Sequence, residues 1–354
     1  MAASRFFIEA MLANQIRKVL VVGVGSIGQR HARLCRERED LSVELCDSRA
    51  ESLKAARRNL GDVVCRTDLR EALDQAPHVV IVATPHDQHE RVTTSALATG
   101  AHVLCEKPMA HEVASARRML DAAQAHARVL RIAFMMRFHP GVRRIRELVY
   151  NGTLGTVNCA RYSVGSYITL ENSVSRYQQN TFGAAVMDYS HGIDLVGWLL
   201  ERQPLGAYAR GIQAGNVEFT SSPNLLSAIL DYEDALLSEL HIDYLTKPQA
   251  NTLQVIGDAA SASLDFGSWS LTVRHRESNK LIHEAFDESM DNIYRAQLSC
   301  FLGAIDGQSD DLTTPSEGLQ SVACSDAIIS SLRTGGRVEV QHFDNSPENQ
   351  KDRK

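Results

Sequence analysis

Residues Gly23-Val24-Gly25-Ser26-Ile27-Gly28 constrain the fold more than any other stretch of the chain. They follow an apolar, β-branched run, Lys18 to Val22, and lead into a helical pattern through Gln29, His31, Leu34 and Arg38. Strand, glycine turn and helix in that order open a dinucleotide-binding βαβ unit. Gly23 makes the tight turn, Gly25 lets the backbone approach a pyrophosphate, and Gly28 lets the helix pack close to the strand. The helix start, at Ser26 and Ile27, then faces an anion. Val43-Glu44-Leu45-Cys46 reads as the second strand, and Asp47 stands at its end, nineteen residues beyond Gly28. A carboxylate there binds the ribose hydroxyls of NAD and repels a 2′-phosphate. Ser48 and Arg49 soften that repulsion, so NAD is expected and NADP stays an alternative. A plain turn residue is the other reading of Asp47.

The organisation changes once along the chain. From Ile16 to about Phe134, strands at 78–83, 102–105 and 129–134 alternate with helices at 90–99 and 112–127, which implies a parallel, doubly wound sheet. After about residue 155 strands follow one another, at 157–164, 225–232, 235–244, 252–257, 261–266 and 270–276, with turns at Glu233-Asp234 and Asp258-Ala259. The expected layout is an extension at 1–15, a nucleotide-binding Rossmann domain at 16–135, a C-terminal α+β domain with a largely antiparallel sheet at 136–340, and a polar tail at 341–354. Late helices at 292–305 and 316–332 are candidates to pack back on the first domain.

At 354 residues and 44% apolar content the chain can bury a sizeable core. A net charge of −6 gives no basic footprint for nucleic acid. The seven cysteines are scattered and contain no Cys-x-x-Cys pair, which suits a reducing compartment, the cytoplasm, and argues against a zinc ribbon. The apolar run at Phe6-Phe7-Ile8 is cut by Glu9 and is too brief for a membrane span. Neither nucleic acid nor a membrane is therefore expected as a partner.

Two clusters carry chemistry. Lys107 lies in Cys105-Glu106-Lys107-Pro108, and Asp188, His191 and Asp194 recur at intervals of three along an apolar helical pattern. Taken alone, Lys107 reads as a solvated loop and His191 as a hydrogen-bonded core histidine. A metal stripe is a further reading of the second cluster, but the chain offers no second ligand motif, and no metal is expected.

The segments Val82-Ala83-Thr84-Pro85-His86-Asp87-Gln88-His89, His102 to Pro108, Arg137-Phe138-His139-Pro140, Gly152 to Val157 and Val186 to Trp198 resemble, in order and approximate spacing, the motifs of the Gfo/Idh/MocA family, the glucose-fructose oxidoreductase and inositol dehydrogenase group. That resemblance covers most of 16–340. It implies an open-faced C-terminal sheet used for substrate binding and for homodimer or homotetramer contacts, and hydride exchange between nicotinamide and a secondary hydroxyl or ketone of a sugar, sugar derivative or cyclitol. Lys107 is the implied group on the substrate hydroxyl, where an ammonium stabilises developing negative charge. His191 is the candidate for proton transfer, with Asp188 sharing a substrate group or tuning it. Thr84, Pro85, His89, Glu106 and Lys107 are expected on the cofactor side, with His89 as a helix-surface residue the other reading. Arg137, Tyr162, Arg176 and Tyr177 are candidate substrate contacts. Asp194 is read as a partner for nearby backbone or an arginine. Departures from the family pattern are the three-residue spacing of Asp188 and His191, Ala184 and Ala185 in place of glycines, Gly192 in place of a glutamate, and Met135 and Met136 before Arg137; the methyl groups at 184 and 185 are expected to narrow the substrate approach. The rival readings are a redox-neutral NAD-dependent glycosidase or lyase, and a ligand-sensing regulator without catalysis.

Overall fold

The computed structural model describes residues 16–343 except 174, 175, 219, 221 and 309. The expected extension at 1–15, and all but 341–343 of the expected tail, lie outside the described residues. The chain divides into two compact units: one holds the residues up to Ala133 with Tyr294–Pro315, the other Phe134–Ile293 with the residues from Ser316 onward.

The first unit is a six-stranded parallel sheet with the order β3-β2-β1-β4-β5-β6. Its strands are β1 (Arg17–Val22), β2 (Leu41–Cys46), β3 (Val64–Arg66), β4 (Val79–Val82), β5 (His102–Cys105) and β6 (Leu130–Ile132). Between them run α1 (Ser26–Arg36), α2 (Ala50–Leu60), α3 (Leu69–Leu73), α4 (His89–Ala98) and α5 (Val113–Ala125). A parallel sheet covered on both faces wants continuous apolar strands, and all four residues of β4 are buried. Each such Val or Ile stabilises the unit by about 1.5–3 kcal/mol. The strand order reverses between β1 and β4, and the register pairs Val22 with Val82 and Val82 with Cys105. Gly23, Ala83 and Glu106 therefore leave the sheet side by side at its carboxyl edge, the switch point where open α/β sheets take ligands.

The second unit is built on a nine-stranded sheet with one parallel pair, β7 (Val157–Gly165) beside β10 (Leu237–Asp243), and antiparallel pairing elsewhere. The remaining strands are β8 (Gly206–Ile212), β9 (Leu225–Asp231), β11 (Ala250–Gly257), β12 (Ala260–Asp265), β13 (Ser270–His275), β14 (Leu281–Ala285) and β15 (Val338–Glu339). Burial alternates along β9, with Leu226, Ala228 and Leu230 inward and Ser227 and Ile229 outward, so one face is covered and the other open. The helices of this unit are α6 (Pro140–Tyr150), α7 (Ile168–Asn172), α8 (Ala184–Asp188) and α9 (His191–Leu200), together with the long helix Pro315–Thr334. Helix α9 crosses β7 where residue 192 is glycine, because any Cβ there would overlap the ring of Tyr162.

Candidate active site

The glycine turn is shaped by contacts that exclude side chains at two positions and leave the third open. Gly23 has φ +88, and a Cβ on it would lie 2.5 Å from the Ala83 carbonyl oxygen. At Gly28 a Cβ would overlap the Gly23 carbonyl oxygen. Gly25 has nothing within 4 Å of a Cβ position. It is also the N-cap of α1 and supplies no side-chain cap, so the first N–H groups of the helix, at Ser26, Ile27 and Gly28, point out of an uncapped positive end. Asp47 closes the turn from β2: its Oδ2 accepts from the Val24 N–H at 3.0 Å and its Oδ1 from the Arg49 N–H at 2.9 Å. Each carboxylate oxygen retains a lone-pair direction for a further donor. Ser48 and Arg49 are exposed, and the Arg49 Nε contact to Asp47 is long at 3.5 Å. The Thr84 hydroxyl, one strand over, is buried with no hydrogen-bond partner among the described residues, and Pro85 beside it is exposed. Open space at Gly25, bare helix N–H groups, a carboxylate at the turn and an unsatisfied hydroxyl together fit a dinucleotide.

Lys107 follows β5 at the same edge. Its backbone N–H donates to Glu106 Oε2 at 3.2 Å, while Glu106 Oε1 meets His31 Nε2 at 2.8 Å. His31 is 2% exposed, and its ring stands edge-on to Tyr294 at 5.3 Å. Glu106 is thus committed to holding the Lys107 turn against α1. His31 was visible only as a polar residue on the buried face of that helix. His89 is not on the surface: it is 1% exposed at the start of α4, with Nδ1 3.0 Å from the Pro108 carbonyl and Nε2 2.9 Å from the Thr84 carbonyl.

In the second unit the Asp188–His191 segment is not one helix. Helix α8 ends at Asp188, Tyr189 leaves helical geometry at φ −105 and ψ 27, and α9 begins at His191. The two side chains are consequently not neighbours on a helix face. Asp188 accepts from the hydroxyls of Tyr177 and Tyr244 and from Gln178 Nε2 at 3.1 Å. Burial, then the Asp188 charge, raises the pKa of both tyrosines well above the usual value, so they remain donors. Tyr244 and Gln178 went unrecognised in the sequence. Their signal was slight: a tyrosine just past a strand end and an amide beside Tyr177. His191 packs edge-on against Phe134 at 5.6 Å.

Two candidate substrate contacts, Arg137 and Tyr162, change character. Arg137 is 3% exposed and forms a two-pronged pair with Asp194 at 2.7 and 3.0 Å, plus a third bond to Glu317 at 3.0 Å. It is an interior strut, and Asp194 is its counter-ion. Tyr162 is 3% exposed and lies under Gly192, which makes it core. Arg176 is exposed, with a left-handed backbone at φ +50. Ala184, Ala185, Met135 and Met136 are all buried, so the methyls at 184 and 185 fill interior volume. Among the described residues no group of three or more His, Cys, Asp or Glu is arranged to hold a metal, and no helix is long and apolar enough to cross a membrane.

Two family models match the chain: residues 17–134 the oxidoreductase family's NAD-binding Rossmann fold, and residues 146–340 that family's C-terminal alpha/beta domain. The chain is similar to 1,5-anhydro-D-fructose reductase of Ensifer adhaerens, at 25% identity over 74% of the chain and 79% of that protein. It is likewise similar to inositol 2-dehydrogenase of Klebsiella pneumoniae, at 25% identity over 91% of the chain and 96% of the relative. In fold it superposes on a levoglucosan dehydrogenase solved with NADH and L-sorbose, with a TM-score of 0.82 at 18% identity, covering 92% of this chain and 99% of that one. The glycine turn, the Asp47 carboxylate and both matched domains lead to one assignment: the chain is an oxidoreductase with an NAD-binding Rossmann domain and belongs to the Gfo/Idh/MocA family.

Proposed function

We propose that this protein exchanges hydride between NAD and a secondary hydroxyl, or the corresponding ketone, of a sugar, sugar derivative or cyclitol. The observation that carries the reading is the common edge of the first sheet: the glycine turn, Thr84 and the Glu106-Lys107 turn leave adjacent parallel strands together. A lysine beside a nicotinamide-binding edge suits alcohol and ketone chemistry. The substrate class is supported by the relatives named for anhydrofructose and inositol.

Bound NAD supplies the two-electron acceptor. Asp47 takes the ribose hydroxyls, and the N–H groups of Ser26, Ile27 and Gly28 take the pyrophosphate. The Lys107 ammonium donates to the substrate hydroxyl and stabilises its oxygen as the proton leaves. His191 accepts that proton in oxidation and returns it in reduction. Asp188 accepts from Tyr177, Gln178 and Tyr244, and acts as a fixed acceptor, so that the two tyrosine oxygens can accept from substrate hydroxyls.

The protein works in the cytoplasm as a homodimer or homotetramer. In support, its seven cysteines form no disulfide, and the open sheet face presents Tyr208, 41% exposed, in register with Ile229, also 41% exposed. Light scattering on purified protein tests the assembly; a monomer overturns it. The activity is tested by NADH formation from NAD with free sugars, inositols, sugar phosphates and nucleotide sugars, alongside NADH oxidation with the matching ketones. Turnover on one class is expected; binding of NAD without turnover on any class contradicts the reading.

A further inference from the structure

His89 is a buried polar side chain that the chemistry above does not use. Its ring sits between two loops that leave neighbouring strands. Nε2 is 2.9 Å from the carbonyl of Thr84, after β4, and Nδ1 is 3.0 Å from the carbonyl of Pro108, after β5. The ring is 1% exposed. A carbonyl in such surroundings needs a donor. Each ring nitrogen faces a carbonyl oxygen, so the ring bonds both loops when it carries both protons, a form that burial opposes and that the two carbonyls and Glu106 favour.

On the far side of the same turn, Glu106 Oε2 accepts the Lys107 N–H and Glu106 Oε1 is anchored on His31. The backbone around Lys107 is therefore gripped at two points: Glu106 holds the Lys107 N–H, and His89 holds the carbonyl of the next residue, Pro108. A lysine side chain carries several rotatable bonds, so the position of its ammonium depends on a fixed backbone origin. The Thr84 end of the strut fixes the loop whose buried hydroxyl is unsatisfied, tying the origin of Lys107 to a second wall of the same edge.

We infer that His89 is a positioning residue: it locks the loop after β4 to the Lys107 turn and so sets where the Lys107 ammonium stands relative to bound cofactor. This rests on Lys107 being the catalytic group. The prediction extends to Gln, whose single amide nitrogen can reach one carbonyl but cannot span both, and to Phe, which fills the space with no donor.

Hydrogen exchange followed by mass spectrometry, on full-length wild type, His89→Phe and His89→Gln, tests it without a substrate. Amides of 84–88 and 105–111 are expected to exchange about tenfold or more faster in His89→Phe and by an intermediate factor in His89→Gln, while amides of β2 stay at the wild-type rate. With a turned-over substrate, kcat falls about 10- to 100-fold with KM and the NAD dissociation constant within about threefold. Wild-type exchange in both segments, in a variant that folds, overturns the proposal, as does faster exchange with unchanged kcat. Should His89→Phe fail to fold, His89→Gln alone carries the same tests. Lys107→Ala separates the two ideas: it leaves exchange at 84–88 unchanged, and full activity in that variant removes the catalytic reading while the exchange result still decides the strut.

Discussion

Acid should loosen the second unit through one histidine. His139 is the N-cap of α6, where its Nδ1 accepts the Gly141 N–H at 3.1 Å. The ring stacks on Trp269 at 4.5 Å, meets Phe266 edge-on at 5.1 Å, and is 1% exposed. Protonation would place a hydrogen on Nδ1 facing the Gly141 N–H, in a site with no counter-charge. Burial accordingly lowers the pKa from 6.5 to about 4. With the folded value depressed, both states are neutral above about 6.5; below it the unfolded chain takes up a proton that the folded chain refuses, so stability falls with pH until about 4. At about 1.4 kcal/mol per pKa unit the full effect is about 3 kcal/mol, and about 2 kcal/mol is gone by pH 5. Both tryptophans, Trp198 and Trp269, belong to the second unit, so their fluorescence reports its unfolding separately. Urea curves at pH 7.5 and 5 are compared for wild type and His139→Asn, in which an amide keeps the cap and cannot titrate. The wild type should lose about 2 kcal/mol more than the variant. Equal losses in the two proteins would refute the argument.

The glycine turn separates folding from binding. Gly25→Ala, which meets nothing within 4 Å, should melt within a few degrees of wild type yet bind NAD at least about tenfold more weakly in calorimetry, whereas Gly28→Ala, with its Cβ on the Gly23 carbonyl, should lose stability in the same thermal scan. Asp47→Ser should raise the ratio of NADP to NAD affinity about tenfold or more, because the charge that repels a 2′-phosphate is gone; an unchanged ratio would argue for the turn-residue reading. Arg137→Ala removes the guanidinium that pairs with buried Asp194 and should cost about 3–5 kcal/mol in urea unfolding, most of it recovered in Arg137→Met with Asp194→Leu.

What could be read from the chain follows from how each part is stabilised. The first unit was accessible because parallel strands such as β4 are buried along their whole length and stand out as apolar runs. The turn glycines were readable because their spacing between an apolar strand and a helical pattern is a local signal. Strand β14, with alternating half-buried and exposed residues and no fully buried one, carries no such run, and β8 has glycine at 206 and 211; neither was foreseen. The break between α8 and α9 was hidden because the apolar pattern continues through it. Arg137 was misread as a substrate contact because its partners lie 57 and 180 residues away, and nothing in local spacing announces a buried pair. Tyr244 escaped for the same reason: it reaches Asp188 from 56 residues downstream.

Replacement of Lys107 addresses the central claim most directly. NAD binding by calorimetry and turnover on the substrate class found by the panel are measured for wild type and Lys107→Ala. Turnover should fall at least about 10²-fold to 10³-fold with NAD affinity within about threefold of wild type. Turnover within about tenfold of wild type would contradict the account, placing the reacting hydroxyl under the control of some other group.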